Sequence, residues 1–331
     1  MRALVTGANG FLGRHVVSAL LERGVEVRAM VRPAAHLETL GWPSSVDVFR
    51  ADLRTSRDLA RAFEGVDVLI HLAAVVSGAE EAQFAGTVAG TERLLDAMAA
   101  STCQRLVLCS SFSVYNYSAT RRTLNEDSPL HDVRDLYTRD GYTIAKWWQE
   151  RVTRRYAETH GWDLTVLRPG FIWGRDHGYL SALGQQLRRH HLVIGPRTRI
   201  PMTHVENCAD VFALAAVDPR ACGQTLNVVD GPGERIWRYL SDHMRGSGQW
   251  GWRLPIPYWL AIWSVRLAAV TVFRRATKVP SILVPRRLES RLKPLRFENN
   301  RLRETLGWTP RLGYRECLAR TYGPARPVAH R

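Results

Sequence analysis

The chain is poor in cysteine, in acidic residues relative to basic ones, and in long uninterrupted apolar runs. Five cysteines occur in 331 residues (Cys103, Cys109, Cys208, Cys222 and Cys317), an odd number with no C-x-x-C pair. That pattern speaks against a disulfide scaffold or a cysteine zinc site, so no metal is expected and a reducing cytoplasm is the expected compartment. No linker of low complexity and no internal repeat divides the chain. The apolar opening Ala3-Leu4-Val5 meets a glycine-rich turn within a few residues, so it does not read as a signal peptide. No zinc finger, RNP-type aromatic sequence or basic leucine heptad is present, and nucleic acid is not an expected partner. What is abundant is arginine and lysine, 46 against 31 Asp and Glu, giving +15. Most of that excess lies in 274–331, with 324–331 as a basic tail, and it reads as a solvated face. Hydrophobic residues at 45% and charged residues at 23% describe an ordinary globular protein, one large domain or two closely joined ones.

Short apolar runs alternate with helical patterns through the first half, as in a parallel sheet with crossover helices. Strands are expected at Arg2–Thr6, Val25–Val31, Val46–Arg50, Val66–Leu72, Arg105–Cys109, Asp163–Leu167 and Gln224–Val229. Helices are expected at Gly13–Arg23, Thr87–Ala100, Tyr142–His160 and Ala209–Ala216. After about Pro169 the rhythm weakens, which suggests substrate-lobe segments interleaved with returning core strands. Ile256–Phe273 is apolar and tryptophan-rich, interrupted by Ser264 and Arg266 and followed by Arg274-Arg275. A mid-helix arginine costs at least ~2.5–3.5 kcal/mol on insertion, which argues against a membrane span. A helix packed on the substrate lobe, walling an apolar pocket, is the first expectation. Peripheral membrane contact through 256–275 is the second.

Thr6-Gly7-Ala8-Asn9-Gly10-Phe11-Leu12-Gly13 lies between the first strand and the first helix. Gly7 suits the positive φ of a tight turn, Gly10 lets backbone approach a pyrophosphate, and Gly13 permits close helix–strand packing. The N–H groups that open the helix, with its positive dipole end, then face phosphate. A dinucleotide site follows. An NAD site usually ends its second strand with a carboxylate for the ribose 2′-OH. Here Val31 stands in that place and Arg32 follows, whose planar fork suits a 2′-phosphate. NADP(H) is therefore the expected cofactor, with NAD(H) as the alternative. Asp52 and Leu53 are expected at the adenine edge, and Ala73 and Ala74 under the nicotinamide half.

Tyr142 and Lys146 are four apart at the start of a helix and share one face. An ammonium beside a phenol is expected to lower the phenol's pKa toward working pH, making Tyr142 a general acid/base. Ser111, just after the strand Arg105–Cys109, is placed to hydrogen-bond the reacting oxygen. Ser110 is the competing hydroxyl.

With these residues in place, the chain resembles the extended short-chain dehydrogenase/reductases, the superfamily of the NAD-dependent epimerases and dehydratases. The resemblance runs through Thr6–Gly13, Asp52-Leu53, Asp67–Ala74, Thr87–Thr91, Ser110–Tyr115, Tyr142–Lys146 with Glu150, Arg168–Gly174, His204–Asp210 and Leu306–Pro310. It implies an α/β fold, a doubly wound parallel Rossmann sheet with a smaller, discontinuous C-terminal substrate lobe. The expected division is 1–168 with 203–231 for the dinucleotide domain, and 169–202 with 232–323 for the lobe. The resemblance further implies that Ser111, Tyr142 and Lys146 form a catalytic triad and that Pro169, Phe171 and Ile172 pack on the nicotinamide.

Departures from the pattern narrow the chemistry. Thr87 stands where relatives often have an Asn that is sometimes part of a proton relay, and Ala145 where they often have Ser. Phe112 and Ser113 replace the Asp-Glu pair of sugar-nucleotide 4,6-dehydratases. Phe171 replaces an epimerase Asn, and Ile200 an epimerase Arg, with Arg199 one step away. Two polar groups that face a diphosphate are thus missing, while Phe171, Trp173 and the 256–273 stretch are gained. An apolar substrate is expected, lined by Val76, Phe112, Ser113, Phe171 and Trp173, ordinary core being the plain alternative for each aromatic. The pattern is more similar to the branch of 3β-hydroxysteroid dehydrogenases, dihydroflavonol reductases and long-chain β-keto reductases. The expected function is an NADP-dependent ketoreductase or alcohol dehydrogenase on an apolar or polyketide-like carbonyl. The rival is a sugar-nucleotide epimerase-type isomerase with tightly bound NAD; the Tyr–Lys pair counts against a non-catalytic nucleotide-binding regulator. Many relatives dimerise through the helix that bears the tyrosine, so a homodimer is a further expectation, with Trp147 and Trp148 suiting an interface or the core.

Overall fold

The computed structural model describes residues 1–38, 40–271 and 284–323. Seven strands form the central sheet: β1 (Arg2–Thr6), β2 (Glu26–Val31), β3 (Asp47–Arg50), β4 (Val68–His71), β5 (Arg105–Cys109), β6 (Asp163–Pro169) and β7 (Thr225–Val228). Their spatial order is β3-β2-β1-β4-β5-β6-β7, and every pairing is parallel. Parallel neighbours require crossover connections, so helices cover both faces and the central strands become nearly continuous Val, Leu and Ile runs.

The main helices of this part are α1 (Phe11–Leu21), α2 (Gly90–Ala99), α3 (Gly141–His160) and α4 (Val205–Val217). Val16, Val17 and Leu20 of α1 pack with Val211 and Phe212 of α4 on one face. Leu94, Leu95 and Met98 of α2 pack with Ala157 of α3 on the other. Each fully buried Leu or Phe contributes roughly 1.5–3 kcal/mol, and the two layers hold the sheet from both sides. The strand order reverses between β1 and β4, which opens a crevice at their C-terminal ends.

Two local features differ from the expected helices. The expected helix over Thr87–Ala100 is built as a short helix Glu80–Phe84, a π-turn Ala85–Ala89 and then α2. Thr87 sits in that π-turn, and its hydroxyl accepts the Val75 N–H at 3.0 Å. Helix α3 starts where Asp140 caps it, its side chain accepting the Thr143 N–H at 3.1 Å, and ends at Gly161 with φ +67°. The cap fixes Tyr142 in the first turn, facing the sheet end.

A third apolar cluster gathers Trp173, Val193, Ile200, Tyr239, Leu240, Ile262 and Leu288. It is framed by α5 (Ile236–Gly246), α6 (Tyr258–Thr271) and α7 (Pro285–Leu292). A three-stranded sheet, Arg253–Ile256, His190–Ile194 and Gln185–Leu187, completes it. Leu302, Leu306 and Trp308, from a segment expected in this lobe, pack instead in the first cluster beside α1 and α4. Among the described residues no helix is long and apolar enough to cross a membrane. Residues 272–275 of the expected membrane-contact stretch and the basic tail 324–331 lie outside the described residues.

Candidate active site

The glycine loop closes as its spacing requires. Gly7 has φ +66°, and a side-chain carbon there would stand 3.1 Å from the Ala73 backbone. Gly13 is the tighter position: a Cβ would fall 2.1 Å from the Gly7 carbonyl oxygen. The loops after β1 and β4 therefore touch at the crevice, and Ala73 N–H donates to Thr6 Oγ1 at 3.3 Å. Helix α1 opens on Gly10 with no side-chain cap and no acidic residue in its first turn. That arrangement fits an anionic pyrophosphate, with the first-turn N–H groups of Phe11, Leu12 and Gly13 as its donors. Phe11 turns its ring to stack on His177, with centroids 3.9 Å apart, so the 174–178 loop leans on the glycine loop.

The positions expected at the adenosine half are less uniform. Arg32 is exposed just beyond β2. Asp52 is gripped by Arg54, with Nη2 to Oδ2 at 2.8 Å and Nε to Oδ1 at 3.1 Å. Those hydrogen bonds, with a smaller contribution from Arg32, hold its carboxyl at about 2. The side chain of Leu53 is core, in one cluster with Phe63 and Leu94.

At the nicotinamide end, Ser110 and Ser111 diverge. The buried Ser110 hydroxyl donates to Glu150 Oε2 at 2.5 Å. Ser111 caps a short turn by accepting the Ser113 N–H at 3.1 Å, and its hydroxyl is close enough to Tyr142 to oppose the rise in the phenol's pKa. The rise itself is a correction to the sequence reading. Burial pushes Tyr142 above the usual phenol value. The Lys146 ammonium points elsewhere, donating to the Cys109 carbonyl at 2.7 Å and to Gln149 Oε1 at 2.9 Å. Burial disfavours its charged form. Of its three donors, two are used here.

Gln149 was not foreseen, and it links Lys146 to a buried polar cluster. Its Nε2 lies 3.1 Å from His71 Nε2 and 2.9 Å from Thr91 Oγ1, and donates to the Ala73 carbonyl at 3.2 Å. His71 Nδ1 in turn lies 2.7 Å from Thr6 Oγ1. Desolvation, then repulsion from Lys146, drives His71 down to about 3, so it stays neutral. The signal was present in the spacing: Tyr142, Lys146 and Gln149 are i, i+4 and i+7 on one helix face. Glu150 builds the support beneath. It receives Arg168 at 2.5 Å and Arg154 at 2.9 Å, and despite its burial these partners hold its carboxyl at about 2. Arg168 also lies over the Tyr115 ring, and the Tyr115 hydroxyl donates to Asn227 at 2.7 Å. This network ties β6, α3 and β7 together behind Pro169.

The expected substrate-lining group divides. Val76 is exposed beyond β4 and Phe171 is half-buried, its N–H donating to the Pro201 carbonyl at 2.7 Å. Ile172 is half-buried beside it, paired with Thr203 in a short parallel ladder. The Ser113 hydroxyl is buried with no partner among the described residues. Two of the aromatics are corrections. Trp173 is 1% exposed, packed edge-on against His204 and Tyr239 at 5.1 and 5.2 Å. Phe112 is buried with Tyr115, Leu124, Leu295 and Phe297. Neither offers a face to a substrate. Trp147 likewise is core, its indole N–H donating to the His131 carbonyl at 3.0 Å.

The sequence profile of the NAD dependent epimerase/dehydratase family matches residues 3–228. Over 249 residues, 73% of this chain and 72% of the relative, the sequence is 32% identical to a 4-hydroxy-2-methyl-3-oxo-4-farnesyl-3,4-dihydroquinoline-1-oxide ketoreductase of Stigmatella aurantiaca. It is 29% identical over 266 residues to a 3 beta-hydroxysteroid dehydrogenase/Delta 5-->4-isomerase of Mycobacterium tuberculosis, covering 75% of this chain and 70% of that one. In fold it is similar to the NAD complex of UDP-glucose 4-epimerase from Thermus thermophilus. That likeness has a TM-score of 0.69 at 22% identity and covers 97% of this chain and 98% of the other. With the glycine loop at the switch point of a seven-stranded Rossmann sheet, the chain belongs to the NAD dependent epimerase/dehydratase family of the extended short-chain dehydrogenase/reductase superfamily, and is an NAD(P)-dependent enzyme.

Proposed function

We propose that the protein is an NADP-dependent ketoreductase or alcohol dehydrogenase acting on an apolar carbonyl or hydroxyl compound. What supports the reading is Ser111 beside the Tyr142 phenol at the end of the crevice, with Lys146 one turn further along the same helix. There Ser111 faces the phenol, and Ser110 is engaged by Glu150.

A nicotinamide dinucleotide, when bound, supplies or accepts the hydride. Tyr142 gives its phenolic proton to the oxygen of the substrate carbonyl, and a phenol that burial keeps protonated is the form this step needs. Ser111 hydrogen-bonds the same oxygen and orients it. Lys146, held by the Cys109 carbonyl and Gln149, keeps one N–H for a cofactor hydroxyl. Arg32 supports the preference for NADP over NAD, because an exposed guanidinium at the end of β2 matches a 2′-phosphate. The apolar substrate is supported by Phe171 and Ile200 in place of diphosphate-binding side chains, and by the substrates named for the ketoreductase and steroid dehydrogenase relatives.

The test is a panel of apolar ketones and of sugar nucleotides, each incubated with NADPH and with NADH while nicotinamide absorbance is followed. Ketone-dependent loss of NADPH, abolished in Tyr142→Phe, is the expected result. Interconversion of a sugar nucleotide with no net change in absorbance would overturn the reading in favour of an epimerase.

A further inference from the structure

Helix α6 is buried on one side only. Ala261, Ile262 and Val265 enter the lobe cluster. The opposite side carries Trp259, Trp263, Leu267 and Val270, spaced i, i+4, i+8 and i+11 along one face and 65%, 72%, 62% and 70% exposed. Single exposed apolar residues need no explanation, but a row of four, two of them tryptophan, marks a contact surface. Arg266 at the edge of the row turns back to the buried Glu289 at 2.7 Å.

The row borders a basic hollow. Tyr258 and Trp259 line a cavity of about 1110 Å³ together with Arg197, Arg199, Arg235 and Arg238, against one carboxylate, Glu234, which pairs with Arg238 at 3.3 Å. Arg121, Arg122 and Arg296 line an adjoining hollow that shares Arg197 and Arg199. Tryptophan favours the level of lipid headgroups, where its ring is apolar and its N–H stays wet, and the arginine fork matches phosphate.

We propose that this face docks on an anionic phospholipid bilayer, with α6 lying in the interface plane and the arginines of the hollow at the headgroup phosphates. Binding of this kind combines buried apolar area with attraction to anionic lipid. Among the described residues no helix is long and apolar enough to cross a membrane. A second copy of the chain fits less well. An isologous contact would bring the same arginines face to face, and Glu234 alone does not offset them. The proposal does not depend on the reaction assigned above, and its test reads binding rather than turnover.

The full-length protein is mixed with vesicles of phosphatidylcholine alone, or of phosphatidylcholine with one quarter phosphatidylglycerol. Co-sedimentation and quenching of tryptophan fluorescence by brominated acyl chains are measured. Binding to the anionic vesicles is expected, with quenching, and with a loss of about tenfold or more on neutral vesicles. The exposed-surface variant Trp259→Ser/Trp263→Ser should lose about tenfold or more on anionic vesicles. Removing Arg197 and Arg235, both exposed, should cost about fivefold each. Circular dichroism checks that the variants are folded. Absence of binding to anionic vesicles overturns the proposal, as does binding that the double tryptophan variant retains. A dimer that dissociates on Trp263→Ser, with no lipid binding by the wild type, would assign the face to a second copy instead.

Discussion

Replacing Glu150 with Gln removes one charge from the network behind the candidate active site and keeps its shape. The carboxylate accepts from Ser110, Arg154 and Arg168 and is almost wholly buried. A carboxyl held at about 2 in the folded chain, against an ordinary 4.5, contributes about 3 kcal/mol at 1.36 kcal/mol per tenfold step. Breaking a buried ion pair by removing one partner costs about 3–5 kcal/mol, which agrees. Because the folded value is the lower one, the contribution is fully present above about pH 4.5 and is lost as pH falls through about 2. Urea unfolding of wild type and Glu150→Gln, compared from neutral pH downward, checks this. A gap of about 3 kcal/mol at neutral pH that closes toward pH 2 is expected. A gap below about 1 kcal/mol, or one that stays constant into acid, refutes the reasoning about Arg168 and Glu150.

Tyr142→Phe should lower turnover by about 10²–10⁴-fold while leaving cofactor affinity nearly unchanged, as read by steady-state kinetics beside a cofactor titration. Since burial holds the phenol protonated through neutral pH, the reductive rate should be flat there and the oxidative rate should climb with pH; a pH–rate profile in each direction shows whether it does. Arg32→Ala should weaken NADPH binding by about 10–150-fold, matching roughly 1.5–3 kcal/mol for a charged hydrogen bond, and leave NADH binding alone. Gly13→Ala would force a methyl to 2.1 Å from the Gly7 carbonyl, so either nucleotide should bind poorly and the melting temperature should drop.

The parts of the fold that were legible are those set by local rules. Glycine spacing located the turn between β1 and α1, and Val, Leu and Ile runs located the parallel strands. What stayed hidden depends on tertiary direction. Phe171 and Trp173 lie two apart in one strand, so alternation gives both the same side; only the packing of His204 and Tyr239 shows that Trp173 is sealed in. Phe112 follows the candidate hydroxyl directly, yet it turns into the cluster of Tyr115 and Phe297. The π-turn at Thr87 inserts a residue that hydrophobic periodicity does not encode. Helix α6 carries apolar residues on every side, broken only by Ser264 and Arg266, so its sequence does not mark which side faces the lobe. The Tyr142–Lys146 spacing marks one helix face, which Gln149 continues at i+7, but the Cys109 carbonyl that also holds the ammonium comes from a neighbouring strand and carries no signal in helical spacing.

The most direct test of the proposed reaction class is native mass spectrometry of the protein as purified, before and after extensive dialysis. A redox enzyme that must exchange its cofactor each turnover should carry NADP(H) and lose it on dialysis, then rebind added NADPH in preference to NADH. One NAD per chain that survives dialysis would contradict it and place the protein with the epimerases.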